Sequence, residues 1–98
     1  SVEIGANLSE DVGKNVTLSI GENQSLSVGK DSKRQVGKKY YLEAGDELVL
    51  KTGDASITMK KDGTITIKGK DITVNGSGKI GVKASGDVVI KGAKIAEN

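Results

Sequence analysis

Residues 17–21 (Thr-Leu-Ser-Ile-Gly) and 25–29 (Ser-Leu-Ser-Val-Gly) alternate hydroxyl and apolar side chains without a break. A period of two marks a β-strand with one dry and one wet face. Thr, Val and Ile suit such a half-buried pleated surface. The pattern recurs on an eight-residue grid set by Gly5, Gly13, Gly21, Gly29, Gly37, Gly45 and Gly53. The residue before each glycine is Ile4, Val12, Ile20, Val28, Val36, Ala44 or Thr52. Two residues after it come Asn7, Asn15, Asn23 and Asp31, then Lys39, Glu47 and Ala55. An octad holds one short strand and one tight corner, and is too short for a helical hairpin. Glycine is expected to end each strand by reaching positive φ without a Cβ clash. Asn or Asp two positions on would hydrogen-bond the local backbone. The seven glycines are therefore the expected structural corners. A one-residue slip would exchange the faces, so the alternation also sets the register.

Beyond residue 56 the glycine grid gives way to apolar pairs two apart: Ile57/Met59, Ile65/Ile67, Ile72/Val74, Ile80/Val82 and Val88/Ile90, with Ile95 last. Their starts lie 8, 7, 8, 8 and 7 residues apart, so the beat persists. The corners between them are Lys61-Asp62-Gly63, Lys68-Gly69-Lys70-Asp71, Asn75-Gly76-Ser77-Gly78 and Ala84-Ser85-Gly86-Asp87, all rich in turn formers. The expected organisation is one continuous domain over 1–98 without a linker. It has a glycine-octad part at 1–56 and an apolar-pair part at 57–98, with corner chemistry changing near Thr52 to Ser56.

A dry strand face must be covered. Strands that wind about a common axis cover it, three octads making one triangular turn. One chain could do so alone, as a solenoid of about four turns. Alternatively three chains intertwine, each supplying every third strand on each face. Periodicity does not separate the two; the lack of an evident capping helix favours intertwining. The expected fold is all-β: an elongated three-stranded intertwined parallel β-helix, a triangular prism built by three chains from octad repeats. Its interior stack would be Val12, Leu18, Ile20, Leu26, Val28, Val36, Leu42, Leu48, Leu50, Ile65, Ile67, Ile72, Val74, Ile80 and Val82. Leu18, Leu26 and Val28 must then be covered in the folded molecule. Polar residues share these phases: Glu10 and Arg34 fall with Leu18 and Leu26, and Gln24 and Ser32 fall with Val16. Facing inward, three copies of Arg34 would need anions or water, because an uncompensated buried charge is very costly. The other reading is a bulge or an exposed stretch around Ser32 to Gln35. Tyr40 and Tyr41 mark the next packed layer and a surface ring.

Composition narrows the chemistry. Tyr40 and Tyr41 are the only aromatics, so stability must come from backbone ladders and narrow aliphatic stacks. Proline is absent, as suits strands whose every N–H is needed. Glycine every eight positions among Thr, Ser, Val and Ile is poor helix material. The chain has no Cys and no His, which removes disulfides, thiolate or imidazole metal sites and histidine-based catalysis. Asp46 and Glu47 are adjacent and would face opposite ways on a strand. The corners are too short to build a groove. Asn75-Gly76-Ser77-Gly78-Lys79 lacks the order of a phosphate loop. Neither an enzyme nor a cofactor is expected.

Net charge is +2, with 6 basic and 8 acidic residues in 1–49 against 9 and 5 in 50–98. Lys60, Lys68, Lys70, Lys83 and Lys91 sit beside the apolar pairs or at corners, without a stacking aromatic. That is a solvated face which discourages edge pairing, not a nucleic-acid site. No apolar run approaches the ~20 residues of a membrane span. No signal peptide is visible, and Ser1 in place of Met leads to the expectation of a piece of a longer chain.

Val12-Gly13-Lys14-Asn15, Ile20-Gly21-Glu22-Asn23 and Val28-Gly29-Lys30-Asp31 are followed by Ile65-Thr66-Ile67-Lys68-Gly69 through Ile80-Gly81-Val82-Lys83-Ala84. This succession resembles the C-terminal spike of the VgrG family, the valine–glycine repeat proteins of the type VI secretion system. It is similar in turn to the needle of phage tail-lysozyme spikes. The resemblance covers essentially the whole chain, and the stretch from Ile72 to Ile80 is its most specific motif. It implies a homotrimeric needle at the end of a contractile injection apparatus, delivered from the bacterial cytoplasm and in transient contact with a target membrane. The family's N-terminal hub has no counterpart in these residues. The resemblance also implies secreted effectors as partners and a PAAR-repeat tip protein, docked at Val88, Ile90 and Ile95. At one strand spacing of ~4.8 Å per unit, about 12 units would give a rod near ~60 Å that transmits axial force. The rival expectation is a trimeric fibre or adhesin stalk whose outer face binds a glycan or surface receptor.

Overall fold

The structure, a computed structural model, describes residues 2–97. Its regular secondary structure is all β, with no helix among the described residues. The chain divides into two compact units, Ser1–Tyr40 and Tyr41–Asn98.

The first unit is a succession of extended segments broken by bends at 5–6, 13–14, 21–22, 29–30 and 37–38. Each bend starts on a grid glycine, so the sequence period is also a conformational one. Ile4, Val12, Ile20, Val28 and Val36 are 46, 45, 43, 47 and 46% exposed, which means that successive octads adopt the same local geometry. The expected cause of the bends needs correction. Gly5, Gly13, Gly21, Gly29, Gly37 and Gly45 do not have positive φ; among the described residues Gly53 (52°) and Gly63 (94°) do. A bend between extended runs closes no hydrogen-bonded reversal, so ordinary negative-φ backbone suffices. A Cβ at any of these six glycines would meet nothing within 4 Å. Among the described residues, no backbone–backbone hydrogen bond falls within this unit.

The second unit carries a three-stranded sheet. Strands β1 (Glu47–Thr52), β2 (Ala55–Lys60) and β3 (Ile65–Lys68) lie in the order β1-β2-β3, each pair antiparallel. In this stretch the expected parallel winding is replaced by a meander, and the turns give the reason. Thr52 pairs with Ala55, leaving only Gly53-Asp54 between the strands. Positive φ at the first of two loop residues is the sign of a type II′ turn, whose twist matches that of the strands. Such a turn reverses the chain, so Gly53 closes a hairpin and is unlike the earlier grid glycines. At the second turn Gly63 N–H donates to Lys60 C=O at 3.0 Å, and Lys60 N–H donates to Thr64 C=O at 2.9 Å. With Gly63 left-handed, this is a three-residue loop ending in a glycine bulge. Lys61 N–H donates to Asp46 C=O at 3.0 Å, which adds a rung to the β1–β2 ladder.

After β3 the chain bends at 70–71, 77–78, 85–86 and 93, keeping the beat without a ladder. Ile80 Cγ1 lies 2.7 Å from where a Cβ on Gly76 would stand, so a side chain there would displace the exposed Ile80 side chain. No described residue is buried. The accessible surface is 11056 Å², about twice the ~5,300 Å² of a compact monomer of this mass.

Candidate assembly surface

Alternation along the three strands sorts their side chains cleanly. On one face the cross-strand rows are Leu48–Met59–Ile65, Leu50–Ile57–Ile67 and, beside the turn, Thr52–Ala55. On the other they are Glu47–Lys60, Val49–Thr58–Thr66 and Lys51–Ser56–Lys68. The first face is apolar except for Thr52 beside the turn, and the second is polar except for Val49. Each apolar cross-strand pair adds roughly 0.2–1 kcal/mol to the sheet. The pairs do not cover themselves: Leu50, Ile57, Met59, Ile65 and Ile67 are all exposed, and Leu48 is half-buried. A concavity of about 630 Å³ continues this face past the end of β3, and Ile72 lines it with Leu50, Ile57 and Ile67. The sheet thus brings together Leu48, Leu50, Ile65, Ile67 and Ile72 of the expected interior stack.

At the bend at 21–22 in the first unit, even-numbered side chains line the concave side. Leu18, Ile20, Glu22 and Gln24 line one hollow of about 280 Å³ around Gly21. Two octads on, Arg34 and Tyr40 occupy the positions of Leu18 and Gln24, and they touch. Arg34 Nη1 donates to Tyr40 Oη, and the guanidinium carbon stands 5.7 Å from the centre of the Tyr40 ring. The contact spans the bend at 37–38 and fixes both side chains on one side of the chain.

The other expected residues remain apart. Val12, Leu18, Ile20, Leu26, Val28, Val36 and Leu42 are exposed, as are Val74, Ile80 and Val82. Val88, Ile90 and Ile95 are exposed and lie outside any strand. Ile57 and Met59, on the central strand of the dry face, were absent from the sequence-derived stack. The signal that places them there is Thr52-Gly53-Asp54-Ala55: Gly-Asp between two alternating runs reads as a two-residue hairpin.

Thr64 N–H donates to Asp62 Oδ1 at 3.0 Å. That backbone donor, followed by the Thr64 hydroxyl, holds the Asp62 carboxyl below its ordinary 3.8. Lys61 and Asp46 approach to 3.7 Å in open solvent, where an ion pair adds at most about 1 kcal/mol. Among the described residues, no group of acidic side chains could hold a metal ion, and no helix is long and apolar enough to cross a membrane. The chain matches no protein-family model and no curated protein.

Proposed function

We propose that three copies of this chain intertwine into a rigid structural needle of the VgrG type. It would serve a contractile injection apparatus by transmitting force to a target envelope and carrying a tip protein or effectors. The observation that carries the reading is the uncovered apolar side of the chain. Its accessible surface exceeds that of a compact monomer by roughly 5,800 Å². An excess of that size fits an obligate interface, which commonly buries more than about 2,000 Å².

Two further observations support it. Extended backbone without internal ladders in residues 2–40 leaves N–H and C=O groups free for strands of other copies. The outer edges of β1 and β3 are open in the same sense. The octad glycines from Gly5 to Gly45, needed neither for positive φ nor for space within one chain, suit a close approach by a neighbouring backbone. In the assembly, three dry sheet faces meet about one axis, and the Lys51–Ser56–Lys68 and Val49–Thr58–Thr66 rows face water. Many ladder bonds must then fail together for the needle to bend. Its role is mechanical.

Light scattering at micromolar concentration tests the assembly: three chains per particle are expected, and a compact monomer overturns it. A PAAR-type protein retained by the particle through its C-terminal end supports the injection role. Tight glycan binding without such retention points instead to an adhesive stalk.

A further inference from the structure

We propose that Asn75-Gly76 is a site of spontaneous deamidation, in which the asparagine amide leaves as ammonia and the chain passes through a cyclic imide to aspartate and isoaspartate. The chain has two Asx-Gly steps, Asp62-Gly63 and Asn75-Gly76. At either one, the backbone nitrogen of the glycine can attack the preceding side-chain carbonyl carbon, expelling water from aspartate or ammonia from asparagine. Closing that five-membered ring needs a free N–H and a backbone able to turn toward the side chain. Glycine meets the second need, having no Cβ to obstruct the approach. Asn7, Asn15 and Asn23 are followed instead by Leu8, Val16 and Gln24, whose Cβ atoms stand in the way.

The fold separates the two steps. Gly63 N–H donates to Lys60 C=O at 3.0 Å, and Asp62 Oδ1 accepts from Thr64 N–H at 3.0 Å. Nucleophile and electrophile are thus both held in the β2–β3 turn, with Gly63 fixed at a φ of 94°. Asn75 and Gly76 are exposed and lie outside any strand, and among the described residues neither has a hydrogen-bond partner. There Gly76 N bonds to Asn75 Cγ and the Cγ–Nδ2 bond breaks; the Gly76 proton leaves with Nδ2 as ammonia. Water then adds to one of the two imide carbonyls. Cleavage at Cγ gives aspartate and cleavage at the main-chain carbonyl gives isoaspartate, so the net change is hydrolysis of one amide. Either product adds a negative charge to a corner flanked in sequence by Lys70 and Lys79. Isoaspartate also routes the chain through the former side-chain methylene, one backbone atom longer. That alters the step between Ile72/Val74 and Ile80/Val82, pairs whose alternation sets which face is dry.

The experiment incubates the 98-residue chain in mildly alkaline buffer and follows each asparagine by proteolysis and mass spectrometry. Conversion at Asn75 should run about tenfold or more faster than at Asn7, Asn15 or Asn23 in the same sample, because Gly76 alone brings no Cβ. Part of the product should accept a methyl group from protein isoaspartyl methyltransferase, which marks the imide route. Ordinary aspartate alone would mean direct amide hydrolysis and overturns that route. Asn75→Gln, whose ring would be one atom larger, should keep the wild-type melting temperature and stay unconverted at this position. Asp62→Asn places the same dipeptide in the hydrogen-bonded turn and should convert there about tenfold or more slowly than Asn75, because the Gly63 N–H is already engaged. Equal rates at the two steps overturn protection by the turn. An Asn75 no faster than Asn15 or Asn23 overturns the site itself. Neither result touches the needle reading, which particle mass decides.

Discussion

Leu26→Asp puts a carboxylate at the centre of the glycine-octad part, on the even-numbered side. Leu26 is 74% exposed in one chain, so about three-quarters of its burial remains available to an assembly. Fully burying a leucine is worth about 1.5–3 kcal/mol, which leaves ~1–2 kcal/mol per copy and ~3–6 kcal/mol over three. Three carboxylates in one apolar layer add several kcal/mol each unless they take up protons. Together these terms rival the whole ~5–15 kcal/mol that holds an ordinary domain folded. Leu26→Asp should therefore fail to assemble at pH 7. Partial recovery near pH 5 is expected, because desolvation raises the new carboxyl's pKa and neutralises it. Ser27→Asp, one residue on and facing the other way, should stay within about 0.5 kcal/mol of wild type. Light-scattering mass and circular-dichroism melting read both. If Leu26→Asp melts and weighs as wild type does, the even-numbered side is not the interior.

Four further outcomes can be measured. Gly63→Ala forces φ of 94° on a residue with a Cβ and should cost about 1 kcal/mol or more, seen as faster amide exchange in β2 and β3. Gly29→Ala meets nothing within its own chain, so a clear drop in the melting temperature of the particle would locate another chain against it, and none would deny that contact. Asp62 has a depressed folded pKa, so its contribution is complete above the unfolded value and lost as pH falls through the lower folded one. Protection of the Thr64 amide should hold at neutral pH and weaken in acid below the ordinary 3.8, while Asp62→Asn, which does not titrate, should remove that dependence. Ile90→Asp should abolish retention of a PAAR-type protein without changing particle mass; retention equal to wild type would remove the C-terminal residues from the docking surface.

The repeat was written in the chain. Glycine every eighth residue located each bend from 5–6 to 45–46, although neither φ nor space within one chain requires glycine there. The period-two alternation assigned Leu48, Leu50, Ile65 and Ile67 to one face, since successive strand residues point to opposite sides whatever the strand's partner. Lys61-Asp62-Gly63 was legible as a turn because its glycine and aspartate act locally, on φ and on the Thr64 amide.

Strand direction was a different matter. Alternation is the same for parallel and antiparallel neighbours, so it carries no sign of pairing direction. That was decided at Gly53-Asp54, where positive φ in a two-residue loop returned β2 along β1 and set Leu50 opposite Ile57. The tertiary structure also separated glycines that look alike in sequence: Gly53 turns the chain back, whereas Gly29 merely bends it. It alone joined Arg34 to Tyr40, because these residues, six apart, meet across the bend at 37–38 that turns their extended segments toward each other. Period and face are properties of one strand and are written locally; direction and contact belong to pairs of segments and arise only when the chain is folded.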